Sequence, residues 1–270
     1  NKTCKIAVDQ FSRTRMLLGN EAVEVLRHSH VAVFGVGGVG GYVVEVLARS
    51  GVGAIDIIDN DRVSLTNINR QIIALHSTLG RLKVDVMEER IRDINPNCIV
   101  RKFPMFYIPK DTGDMKANAD EIDFSCYDYV VDCIDTVSAK IDLIRRCYEL
   151  GIPLLSCMGA ANKMDATAFR IADINETNMD PLAKVIRKKL RKLNIPRQKV
   201  VYSEEEPIKP EADSSMESDI FEAKPENSKD SCATSHRPIP ASNAFVPAAA
   251  GLIAGGEVIK DIIARHTKEL

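Results

Sequence analysis

The sequence predicts a Rossmann-like, doubly wound α/β fold, a mostly parallel sheet with helices on both faces. Three observations predict it. The apolar run Val31 to Phe34 ends in a glycine-rich loop, Gly35-Val36-Gly37-Gly38-Val39-Gly40, which opens a helical stretch. A second apolar run, Ala54 to Ile58, follows that stretch. Two strands joined by a helix in this way pair in parallel across a right-handed crossover. There is no Trp and only 5% of residues are aromatic, which suits a core of Val, Ile, Leu and Ala in strands buried on both faces.

The elements follow in order. Residues 1–30 read as an N-terminal helical arm, and Val39 to Ser50 as a helix closed by Gly51 and Gly53. Leu79 to Ile94 is an amphipathic helix stopped by Asn95-Pro96. Cys98 to Phe103 and Asp128 to Ile134 read as strands, Ser138 to Leu150 as a helix, then Pro153 to Cys157 and Ala166 to Ala172 as further strands. These complete a Rossmann-like domain over 31–175. In 176–203 a basic helix starts at Pro181 with Asp180 as its cap, and Val200 to Tyr202 is a short strand. Residues 204–240, rich in Glu, Pro, Ser and Lys, read as a flexible linker or crossover loop. Residues 241–270 supply a small-residue helix, Phe245 to Ala264, that packs back on the sheet.

Composition narrows the function classes. With 270 residues, 45% hydrophobic and 27% charged, the chain can bury a sizeable core. Its net charge of −2 gives no global pull toward nucleic acid or anionic lipid, so any such pull is local. The seven cysteines include no C-x-x-C pair, so no zinc ribbon or thioredoxin-like site is written here. The longest apolar run, Ala244 to Gly256, contains Pro247 and is too short to span a bilayer. These features read as a soluble, cytoplasmic protein with reduced thiols.

A G-x-G-x-x-G pattern gains meaning between a strand and a helix. There Gly35 permits the tight turn, Gly37 and Gly38 let a phosphate approach the backbone, and Gly40 lets the helix pack close to the strand. The helix N-terminus offers free N–H groups and partial positive charge. Asp59, at the carboxyl end of the second strand, is placed to hold ribose hydroxyls. To this point a dinucleotide and ATP are equally well explained. The next stretch separates them. Thr66-Asn67-Ile68-Asn69-Arg70-Gln71 precedes Lys83, which projects within the apolar face of its helix. A lysine there snorkels out or meets an anion, and Asn67 and Arg70 nearby favour a phosphate. Asp135, ending the strand Tyr129 to Ile134, is placed as a magnesium ligand, or more plainly as a cap for the helix after it.

Together these motifs resemble the superfamily of ubiquitin-activating-enzyme-like adenylyltransferases: G-V-G-G-V-G at 35–40, D-N-D at 59–61, T-N-I-N-R-Q at 66–71, Lys83, and D-C-I-D at 132–135. The resemblance implies ATP with Mg2+ as cofactors. Asp59 would bind ribose, Asn67, Arg70, Gln71 and Lys83 the triphosphate, and Asp135 the metal. It also implies a homodimer in which Arg15 reaches the partner's site, so that Arg15, Arg70, Lys83 and Asp135 form the catalytic set. Within the superfamily the closer likeness is to the tRNA threonylcarbamoyladenosine dehydratases, carried by Asn69 to Ile72, Gly159 to Thr167 and Asp180 to Lys184. That family uses ATP to cyclise threonylcarbamoyladenosine in tRNA, with loss of water, through an acyl-adenylate. Two other readings stand beside it: adenylation of a ubiquitin-like sulfur carrier, with that carrier or a cysteine desulfurase as partner protein, and a non-catalytic dinucleotide-binding domain.

Two local features remain. Some relatives use a cysteine near the site, yet Cys232 lies in a polar stretch without the electropositive setting that activates a thiol. Lys184, Arg187, Lys188, Lys189, Arg191, Lys192, Arg197 and Lys199 fall among sixteen residues that contain no acid. Such a run is either a solvated helix face or an RNA-backbone contact.

Overall fold

The computed structural model describes residues 8–110, 118–210 and 240–268. Strand β1 (His30–Phe34) pairs in parallel with β2 (Ala54–Ile58) on one side and β4 (Tyr129–Asp132) on the other. Outward from β2 lies β3 (Ile99–Phe103); outward from β4 come β5 (Leu154–Cys157), β7 (Lys199–Ser203) and β6 (Phe169–Asp173). Among the described strands only the β6–β7 pair is antiparallel. The strand order reverses between β1 and β4, the point where ligands enter sheets of this kind.

Alternate side chains of each central strand enter opposite cores. Val31, Val33, Ile55, Ile57, Val131 and Leu155 pack on one face with α3 (Gly40–Ser50), α4 (Lys83–Ile94) and α7 (Val246–Lys268). Ala32, Phe34, Val130, Leu154 and Val200 pack on the other with α5 (Val137–Leu150) and α6 (Pro181–Lys192). The period of two in the strands thus feeds two helical layers. Edge strand β3 carries charged Arg101, paired with buried Asp56 of β2, and Lys102, paired with Asp85 and Glu88 of α4; charge on an edge strand discourages pairing with another sheet. At the N-terminus lie α1 (Ser12–Leu18) and α2 (Asn20–His28); α1 buries no residue.

Some boundaries differ from the sequence reading. The helix expected from Leu79 starts at Lys83, because Gly80 takes φ +78° and Leu82 is extended. Leu79 is left exposed rather than on the apolar face, while Val86 and Met87 are buried as read. In the strand expected from Ala166, residues Ala166–Ala168 form a 3-10 turn capped by Asp165, and pairing begins at Phe169. Residues 176–203 do not stand apart from the sheet: β7 inserts between β5 and β6. Cys232 and residues 211–239 of the expected linker lie outside the described residues. Among the described residues no helix is long and apolar enough to cross a membrane.

Candidate active site

The glycine loop joins β1 to α3, and each glycine has its own geometry. Gly35 turns the chain at φ +86°. A Cβ on Gly40 would lie 1.7 Å from the Gly35 carbonyl oxygen and 3.2 Å from the Cys133 Cβ, so side-chain-free contact holds α3 against the loop and β4. A Cβ on Gly37 would meet only the Gln71 amide nitrogen, at 3.7 Å. That backbone is open.

Asp59 leaves β2 and turns back on the loop. Its carboxylate accepts from the Val36 N–H at 2.9 Å and the Asp61 N–H at 2.8 Å. Burial pushes its pKa above the usual carboxylate range, and the nearby Lys83 ammonium opposes the shift. Lys83, the first residue of α4, is 5% exposed and donates to Asp61 at 2.7 Å. The anion it meets within the chain is therefore a carboxylate of the D-N-D turn. This puts one cation beside two acids at the carboxyl end of β2.

The T-N-I-N-R-Q segment folds over the loop. Asn67 accepts from the Ser64 N–H through its side chain, and its carbonyl accepts from the Arg70 and Gln71 N–H groups. Arg70 donates to the Thr66 carbonyl at 3.0 Å and to Asn69 at 2.9 Å. Its stem lies 3.3 Å from the Cβ position of Gly38, and Pro247 of α7 approaches the same point equally closely. Burial lowers the pKa of Arg70, and Asp135, facing it from the end of β4, raises it. Arg70 and Asp135 thus flank the reversal of strand order from its two sides.

Asp135 is presented by a buried network beneath it. Lys140 of α5, 1% exposed, donates to Asp132 at 2.9 Å and to the Cys157 carbonyl at 2.7 Å. Ser156 donates to the same Asp132 oxygen at 2.5 Å, and the other oxygen accepts from the Ile134 N–H. The first acid of D-C-I-D is consumed in the core; the second, Asp135, is exposed.

The structure brings Gly37, Gly38, Asp59, Asn67, Arg70, Gln71, Lys83 and Asp135 to one carboxyl-edge crevice. It does not bring Arg15 there within the chain: Arg15 donates to Asp9 at 2.5 and 2.8 Å. Sequence reasoning missed three residues. Asp61 partners Lys83; Lys140 looks like any helical lysine until β4 is placed under it; and Lys163 is buried 3.6 Å from Asp180. Burial lowers the Lys163 pKa, and Asp180 counters it. Among the described residues the buried polar side-chain atoms without a hydrogen-bond partner are Gln71 Oε1, Lys163 Nζ, Asp180 Oδ2 and Ser242 Oγ. Gln71 lies beside Gly37, the Lys163–Asp180 ion pair beside Gly159 just past β5, and Ser242 accepts from Asn69 of the T-N-I-N-R-Q segment through its backbone carbonyl. Unsatisfied polar groups gathered in this way suit a polar ligand. No group of three or more metal-binding side chains occurs among the described residues. The donor set, one exposed carboxylate across from the open Gly37 backbone, fits a magnesium ion held mainly by nucleotide phosphates.

The family model described as the ThiF family matches residues 11–269. This chain belongs to the ThiF family. Among ThiF-family relatives it is 48% identical over 255 residues to the tRNA threonylcarbamoyladenosine dehydratase of Bacillus subtilis (strain 168), covering 94% of each chain. It is 32% identical over 152 residues to the molybdopterin-synthase adenylyltransferase of Escherichia coli (strain K12), covering 56% of this chain and 57% of that one. Among solved structures it superposes on the E. coli tRNA N6-threonylcarbamoyladenosine dehydratase in complex with ATP with TM-score 0.78 and 30% identity, covering 98% of this chain and 100% of that one. The AMP complex of the same enzyme superposes with TM-score 0.79. The expected Rossmann-like fold is thus the family's fold.

Proposed function

We propose that this ThiF-family protein is an ATP-dependent tRNA threonylcarbamoyladenosine dehydratase acting in the cytoplasm. The observation that carries the reading is the similarity over 94% of each chain to a dehydratase, joined to a crevice whose open backbone, buried Lys83, half-buried Arg70 and carboxylates suit a nucleoside triphosphate. The threonyl carboxylate attacks the α-phosphorus of ATP, giving an acyl-adenylate and releasing pyrophosphate. A nucleophile of the ureido group then attacks the acyl carbon, closes the ring and expels AMP, which carries away the carboxylate oxygen.

Each residue has a task in that sequence. Asp59, with its two backbone donors already fixed, accepts from ribose hydroxyls. The loop at Gly37 and Gly38 and the α3 N-terminus receive phosphates. Arg70 and Lys83 stabilise charge that develops as pyrophosphate leaves, with Lys83 exchanging its Asp61 contact for phosphate oxygens. Asn67 uses its carbonyl oxygen to shape the turn and keeps its amide N–H groups for a ligand. Asp135 would hold magnesium, which supplies further neutralisation of the phosphates. The protein works as a homodimer, with Arg15 released from Asp9 to enter the partner's crevice. Supporting that assembly, α1 presents Met16 and Leu17 at 86% and 84% exposure beside Arg15.

The test is pyrophosphate release with modified tRNA, unmodified tRNA and a sulfur-carrier protein offered separately. Release with modified tRNA, together with a cyclised nucleoside on digestion, is the expected outcome. Release with the carrier alone would overturn the reading in favour of carrier adenylation.

A further inference from the structure

The structure divides the eight cations of residues 184–199 into two kinds. Arg187 donates to the Ile174 carbonyl and to the Thr177 carbonyl and hydroxyl, at 3.2, 2.9 and 2.7 Å. Lys199 pairs with Glu257 and Asp261 of α7. These two fasten α6 and β7 to the rest of the fold. Lys184, Lys188, Lys189, Arg191, Lys192 and Arg197 are exposed, and no ion pair joins any of them to another described residue.

At about 100° per residue, Lys184, Lys188, Arg191 and Lys192 fall within an arc of roughly 100° on the face opposite buried Ala183, Ile186 and Leu190. A solvated cationic face is normally laced with acids. Neighbouring α5 shows that pattern: Arg145 pairs with Asp142 and Glu149, and Arg146 with Asp142 and Asp120. On α6 the acids are missing, although the whole chain is net negative.

The stripe also has a direction. α6 is capped by Asp180, beside Gly159 just past the carboxyl end of β5, and so starts at the same edge of the sheet as the crevice. It ends near the start of β7, whose Lys199 lies opposite Leu155 at the other edge of the sheet. A helix of twelve residues spans about 18 Å. At its far end a cleft of about 200 Å³ is lined by Tyr148, Ile152, Leu154 and Arg197 among others. Tyr148 is 53% exposed, an aromatic face beside a guanidinium. Single-stranded RNA is held by such pairs, a base stacked on the ring and the backbone tracked by cations.

We propose that α6 is an RNA track: Lys184, Lys188, Arg191 and Lys192 hold the phosphates of the tRNA strand leading to the crevice, and Tyr148 with Arg197 receives a base at the far end. The proposal rests on the dehydratase reading and adds where the tRNA lies. At a stacked spacing of about 3.4 Å the track accommodates about five nucleotides.

The experiment uses the full chain carrying Lys188→Glu, Arg191→Glu and Lys192→Glu together, with Tyr148→Ala and Tyr148→Phe as separate variants. Binding of threonylcarbamoyladenosine-containing tRNA is measured against salt by fluorescence anisotropy, and ATP binding by calorimetry. For the triple variant the log–log salt slope should flatten by about 2, since each single-strand phosphate that a cation neutralises adds about 0.7 to it. Its tRNA affinity should fall at least tenfold, with KM for tRNA raised and ATP affinity unchanged. Tyr148→Ala should weaken tRNA binding severalfold and Tyr148→Phe should restore it. If wild type converts the tRNA while the triple variant keeps wild-type affinity and slope, the track is refuted and the dehydratase reading stands. If wild type neither binds nor converts the tRNA, that reading fails and the track with it. Loss of binding to anionic phosphatidylserine vesicles with tRNA binding intact would also overturn the proposal, in favour of a membrane surface.

Discussion

Gly37→Ala separates what the glycine loop does for the fold from what it does for a ligand. At Gly37 the added methyl would meet only the flexible Gln71 amide at 3.7 Å, an ordinary contact, and Gly37 is not among the residues with positive φ. Replacing such a glycine restricts the unfolded chain and stabilises by about 0.4–1 kcal/mol, about 1–4 °C in Tm for a chain of this size. ATP affinity should move the other way. A methyl on the open backbone holds phosphates off the loop N–H groups, and a tenfold loss, about 1.4 kcal/mol, is the minimum expected. Gly40→Ala is the contrast. Its Cβ would overlap the Gly35 carbonyl at 1.7 Å, so backbone must move, at the upper end of the roughly 1–3 kcal/mol that overpacking costs. Thermal melts of the free proteins and calorimetric titration with ATP give both quantities. If Gly37→Ala binds ATP as tightly as wild type, the loop is not the phosphate seat and the site has been assigned to the wrong backbone.

Three further outcomes follow from the same geometry. Lys140→Met leaves Asp132 buried without its ion-pair partner and should cost about 3–5 kcal/mol in urea unfolding; a loss below 1 kcal/mol would show that the network beneath Asp135 is dispensable. Because burial raises the Asp59 pKa, folding favours its protonated form, so its stabilising contribution is present below the ordinary carboxylate range and is lost as pH rises through the folded value. ATP affinity should therefore fall on acidification at a pH above about 3.9, the ordinary Asp value, and Asp59→Asn should abolish that dependence; an unchanged pH profile in Asp59→Asn would remove Asp59 from the ribose site. Inactive Arg15→Ala and inactive Lys83→Ala chains, mixed and allowed to exchange subunits, should recover about a quarter of wild-type activity, since half the dimers are mixed and each has one intact site. No recovery after proven exchange would mean that Arg15 does not act across the interface.

What was legible in the sequence was local. The strand, glycine loop, helix and strand from 30 to 58 follow from apolar runs and glycine punctuation, and each lies within one or two residues of its expected place. Asp180 capping a helix that begins at Pro181 was equally readable. Long-range pairing was not. Nothing near Val200 tells that β7 slips between β5 and β6, because its partners lie 26 to 44 residues away in a chain with several apolar runs. The same holds for charges. Lys83 is visible as a lysine on an apolar face, but its Asp61 partner depends on the turn after β2. Arg187 and Arg191 look alike in a basic run, and only the backbone carbonyls of Ile174 and Thr177 distinguish the internal one from the free one.

Asn162 has a further consequence. It holds a left-handed φ of 59°; its carbonyl accepts from the Ile208 N–H, its N–H donates to the Ala241 carbonyl, and its side chain accepts from the Ala241 N–H. Residues 208 and 241 are thus knotted to one amino acid, and the chain between them leaves and returns at a single point. Asn162 therefore joins the β5–β6 connection to positions 208 and 241 through two backbone groups and one side-chain oxygen.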